Sequence, residues 1–140
     1  MSATSLTPQM AYELVRDGME QQGGPSVGVG GKCLFLGPNK RRCAVGMLIP
    51  LDYGPLATIT EDFSVQELVG HLKSTDVYSI AATDHHEIIR MMSRLQGVHD
   101  SSVNDTNGED APFMATWRRK LKDFRERWNR DHSVVLKEVG

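Results

Sequence analysis

His85-His86, His99-Asp100, Cys33 and Cys43 are the residues of this 140-residue chain best suited to chemistry. Neutral imidazoles and a carboxylate can hold metal ions that activate water. A small metal-dependent hydrolase using His85, His86, His99 and Asp100 is therefore one reading. Spacing opposes it: on a continuous helix, at about 1.5 Å per residue, His86 and His99 stand roughly 20 Å apart, too far for one ion. The plainer reading is that these side chains sit at helix ends and satisfy free backbone groups. Cys33 and Cys43, with His85, His86 or His99, could in principle bind zinc. Structural zinc sites pair their ligands at much shorter spacings. Buried cysteines more often serve as small apolar fillers. No metal and no cofactor is expected.

Other catalytic patterns are missing from the sequence. There is no G-x-S-x-G, and Ser93 has no local base. The Gly-rich run SVGVGG at 26–31 leads into a strand pattern and lacks the Lys-Ser/Thr of a P-loop. The expectation is a protein that acts by binding rather than by catalysis.

The stretch that organises the chain is KCLFLGPNKRRCAVGMLIP, 32–50. Its apolar ends flank a Gly-Pro-Asn-Lys turn, so it reads as an antiparallel hairpin. In the register that pairs Leu36 with Arg41, the two cysteines fall on opposite faces, which argues against a disulfide. Helices are expected around it. Thr7-Pro8 opens one over 7–22, and Gly23-Gly24-Pro25 stops it. Ser64 and Glu67 form a capping box for a second over 64–73, with Phe63 and Leu68 at the staple positions. Ile88, Met91, Met92 and Leu95 define a third over 84–97, with Asp84 and Glu87 as its capping pair and Gly97 as its end. DSSVNDTNGEDA at 100–111 reads as a mobile acidic loop. Phe113, Trp117, Leu121, Phe124 and Trp128 mark the inner stripe of a last helix over 112–130. Residues 134–136 could add a terminal strand. The expected architecture is one α+β domain: a small antiparallel sheet on the hairpin, covered by about four helices.

The pattern from Cys33 to Pro50, C-x9-C-A-V-G-x-L-I-P, resembles one in small proteins of bacteriophages and prophages. There too a hairpin of this kind precedes helices, a segment like Leu95-Gln96-Gly97-Val98-His99-Asp100 and an aromatic, basic last helix. The resemblance carries no activity and assigns no site residue. It implies an accessory protein that binds a host protein or defence complex, with inhibition of that host partner as one outcome.

Charge offers two surfaces. The formal charge is −2, yet residues 1–110 carry 8 Lys+Arg against 14 Asp+Glu, and 111–140 carry 8 against 4. Asp100, Asp105, Glu109 and Asp110 could meet a basic groove on a host protein. Arg118, Arg119, Lys122 and Arg125 could instead contact nucleic acid through phosphates. Asp123 and Arg127, one turn apart, read as a simple ion pair that dilutes this face. Trp- and Met-bearing faces could also form a homodimer interface. No run of about 18 apolar residues suggests a membrane span. MSATSLTPQM has no secretory character, so a cytoplasmic setting with reduced thiols is expected.

Overall fold

The computed structural model describes residues 4–26, 41–49, 64–131 and 136. Thr4–Ser5 (β1) leads into helix α1, Pro8–Gln22. Thr7 caps α1 by accepting from the Met10 N–H, and Gly23 ends it in the left-handed region at φ 77°. After a 3-10 turn at Val45–Leu48 come α2 (Val65–Ser74), β2 (Tyr78–Ser79), α3 (Ala82–Thr106) and α4 (Asp110–Asp131). The Ser64–Glu67 capping box opens α2.

The expected antiparallel sheet is not the architecture. Among the described residues the chain is mostly helical, and its sheet is a parallel pairing of β1 with β2, two residues each. The first half of the expected hairpin, with Cys33, lies outside the described residues, as does Phe63. The second half is described and is not a strand. Ala44 is in the helical region, and 3-10 bonds run from Met47 N–H to the Ala44 carbonyl and from Ile49 N–H to the Gly46 carbonyl.

The physical reason is burial on every side. Residues 43–49 are all buried, packed against α1 and α3. A strand there would need a partner strand for its main chain. Side chains do that work instead. Gln22 accepts from the Arg42 N–H at 2.7 Å and donates to the Arg42 carbonyl at 2.8 Å. Gln96 accepts from the Val45 N–H at 3.0 Å. Tyr78 donates to the Leu48 carbonyl, and Arg42 reaches the Ile49 carbonyl. Without these bonds the groups, buried or part-buried, would have to find other partners.

The mobile acidic loop is also corrected. α3 runs without interruption through 98–106, with Gly97 inside it. His99, Ser102 and Val103 are buried there, so packing carries the helix past its glycine. Only Asn107 and Gly108, both at positive φ, turn the chain before α4 begins at Asp110. The start of α3 differs as well: its N-cap is Ala81, with no side-chain capping bond from Asp84.

α3 and α4 form an antiparallel helical hairpin, with α1 beside them. The core between them holds Tyr12, Phe113, Trp117 and Trp128 among its largest buried side chains. Tyr12 stacks on Phe124 with centroids 6.5 Å apart, tying α1 to α4. Asn129 makes two bonds to the main chain of Leu136, which is itself buried.

Gly24 lies under the ion pair between Arg41 and Asp110, and a Cβ there would collide with both side chains. Both colliding atoms are ends of flexible side chains, so the pair should move aside. Gly24→Ala is expected to cost under about 1 kcal/mol in urea unfolding. The cost should shrink in an Asp110→Ala background, where the pair is absent and one of the two colliding side chains is gone.

Candidate functional site

The histidines do not converge. His85 and His86 sit in the first turns of α3, with ring centroids 5.8 Å apart. His99 lies on the same unbroken helix, several turns on. Burial, then the charge of Lys73, then His86, holds His85 below the usual imidazole range. Among the described residues no group of three or more His, Cys, Asp or Glu could hold a metal ion. Cys43 is buried, and burial pushes its thiol up to about 12, against the pull of the Gly46 and Val45 main chain. It is a protonated filler, not a nucleophile.

His99 has a different task. The Ser26 N–H donates to His99 Nε2 at 3.3 Å, so the ring proton belongs on Nδ1. Nδ1 lies 3.0 Å from Asp100 Oδ1, to which it then donates. The same Oδ1 accepts from Gln96 Nε2 at 2.9 Å. Gln96 in turn holds Val45. The stretches C-A-V-G and L-Q-G-V-H-D, far apart in sequence, thus meet in one hydrogen-bonded lock. An Asp100–His99–Ser26 order resembles a hydrolytic relay. Here, however, the main-chain N–H of Ser26 occupies Nε2, and His99 and Ser26 are both 0 % exposed. The arrangement fastens the end of α1 and residues 43–46 to α3.

The acidic residues expected to meet a partner are largely engaged within the protein. Asp100 belongs to the lock. Asp105 accepts from Lys120 at 2.7 Å, and Asp110 accepts two bonds from Arg41 at 2.6 and 2.8 Å. Glu109 is exposed. The basic residues divide similarly. Arg118 donates twice to Glu20 at 2.8 Å, and Arg125 is half-buried. Arg119 and Lys122 are exposed. Asp123 and Arg127 form no ion pair within 4.0 Å among the described residues.

These pairs set the acid response. Hydrogen bonds from Arg118, Lys120 and Arg41 hold Glu20, Asp105 and Asp110 below the usual carboxylate range. A carboxyl depressed on folding contributes above its unfolded value, about 4, and loses that contribution as pH falls through the lower folded value. The carboxylates' contribution to the thermal midpoint is expected to be constant from about pH 7 to about pH 5 and to fall below about pH 4, while His85, held low in the fold, adds a small separate decline as pH drops below about 6.5. Glu20→Gln should make that fall shallower in a circular dichroism melt. The effect is small, because the pairs are solvent-screened.

Among the described residues, a concave feature lined by charged side chains lies between α3 and α4. It is a groove of about 610 Å³. Val98 from α3 and Phe124 and Trp128 from α4 make its apolar floor. The guanidinium of Arg94 lies over the Trp128 ring, 5.5 Å from its centroid. Arg127 stands on the opposite helix, with Asp123 and Asp131 one turn to either side. Lys120 closes one end but is already bound to Asp105 and to Ser101. Sequence reasoning places Trp128 on the inner stripe, where its 2 % exposure puts it. It misses Arg94, because only the packing of α3 on α4 brings that residue to Trp128.

Among the described residues no helix is long and apolar enough to cross a membrane. No family model matches the chain, and no curated protein or solved structure does.

Proposed function

We propose that this chain is a non-catalytic accessory protein of the bacteriophage kind that binds a host protein through the α3–α4 groove. One observation carries the reading: an aromatic and aliphatic floor, an arginine guanidinium over tryptophan, and a rim of both signs. Buried aromatic anchors, arginine and a polar rim are the anatomy of protein–protein contacts. The mixed rim favours protein over nucleic acid. A phosphate backbone presents closely spaced negative charge and would meet Asp123 and Asp131 as well as the arginines. The resemblance of the 33–50 and 95–100 segments to phage proteins supports a host partner.

The test is comparative capture from a bacterial lysate. Val98→Arg fills the groove and keeps the surface cations. It should remove the partner that the unaltered protein retains, while an Arg119→Gln, Lys122→Gln protein keeps it. Nuclease treatment should not release that partner. Equal capture by the Val98→Arg protein, with an unchanged melt, would overturn the groove as the docking site. Release by nuclease would favour nucleic acid.

A further inference from the structure

Resting on that docking reading, we infer that the groove selects a carboxylate on its partner, an acidic peptide segment held between Arg94 and Arg127.

The groove contains three cations, and they are not equivalent. Lys120 is already engaged by Asp105 at 2.7 Å and by Ser101 at 3.0 Å. Among the described residues, neither Arg94 nor Arg127 has a carboxylate within 4.0 Å. Asp123 and Asp131 line the same groove without pairing with either. Two guanidiniums from facing helices therefore border one apolar floor, neither paired with a carboxylate among the described residues.

Arg94 is also held in advance. Its guanidinium carbon sits over the Trp128 ring, 5.5 Å from the centroid. A guanidinium held by this cation–π contact still has N–H groups to offer a ligand. Those donors form a fork that matches a carboxylate in two parallel bonds. Because the contact already restricts the side chain, less freedom is lost on binding. The Val98 and Phe124 floor then takes the aliphatic stem of the residue that bears the carboxylate.

The flanking aspartates set the selectivity. Asp123 and Asp131 stand one helical turn either side of Arg127. Their negative charge beside Arg127 penalises a ligand of closely spaced charges, such as a polyphosphate chain, more than one bearing a single carboxylate.

The probe is a short fluorescein-labelled helical peptide of glutamate, leucine and alanine. Its glutamine counterpart and a labelled oligothymidylate serve as comparisons, with binding read by anisotropy. The glutamate peptide is expected to bind at least about tenfold more tightly than the glutamine peptide, the difference of one charge-assisted contact. Arg94→Gln or Arg127→Gln should reduce it to the glutamine level, and Arg119→Gln should not. Circular dichroism melts confirm that each variant is folded.

Failure to bind the glutamate peptide, equal binding of both peptides, or tighter binding of oligothymidylate would each overturn the inference. The two readings separate through Val98→Arg. If both peptides bind equally and Val98→Arg abolishes both, the docking groove stands and carboxylate selection falls. If Val98→Arg leaves peptide binding intact, the docking groove itself falls.

Discussion

A Trp117→Ala protein is expected to lose about 3–5 kcal/mol of stability, read from its urea unfolding midpoint. Trp117 is 0 % exposed and stacks on Phe113 with centroids 6.1 Å apart. Removing the indole leaves a cavity where α3 and α4 meet, and Phe113 loses its neighbour. Domains of this size have only about 5–15 kcal/mol in total, so the variant should stand near its unfolding threshold at 25 °C. Trp117→Phe should behave quite differently. The Trp117 Nε1–H is buried with no hydrogen-bond partner among the described residues. Leaving such a group unsatisfied costs about 1–3 kcal/mol, and phenylalanine removes it together with the lost volume. The phenylalanine variant is therefore expected to cost less than half of the alanine variant. Equal midpoints for the two would show that the indole N–H has a partner in solution.

His99→Leu is expected to lose about 2–3 kcal/mol by the same measurement. Leucine roughly fills the space against Phe113, whose centroid is 5.4 Å from the imidazole. It cannot accept from the Ser26 N–H, which then stays buried without a partner. Asp100 suffers less, because Gln96 still donates to it and its side chain is 46 % exposed to water. His99→Gln should recover part of the loss, since its amide oxygen can accept. The result also guards the functional argument. Loss of any activity on altering His99 would first reflect a released α1 end, so the melt must be compared before chemistry is invoked.

Local signals made α1 and α2 legible. Thr7, Pro8 and Gly23, and the Ser64–Glu67 pair, act within one turn of the chain and need nothing distant. The end of α3 was not legible for the opposite reason. Gly97 costs a helix about 1 kcal/mol, which reads as a stop in isolation. Buried His99, Ser102 and Val103 outweigh it, and their burial depends on α4. The acidic composition of 100–111 misled in a similar way, because Lys120 and Arg41 approach it only in the folded chain. Residues 41–49 show the limit of hydrophobic pattern. A short apolar run bounded by proline fits a strand or a fully buried turn equally well. Glutamines from α1 and α3 decide between them, and nothing in the run itself announces those glutamines. The groove was half legible: the aromatic stripe of α4 is periodic, whereas the meeting of Arg94 with Trp128 is purely tertiary.

The side chains that hold 41–49 in place imply an order of assembly. Its main-chain bonds come from Gln22, Tyr78 and Gln96, which lie 20, 30 and 51 residues away from the groups they meet. Closing such long loops consumes entropy before any bond forms. This stretch therefore docks late in folding, onto helices that have already come together, and by the same order it is released first. The Val45 amide proton should accordingly exchange with deuterium through a partial opening, faster than the core amides of α3 and α4.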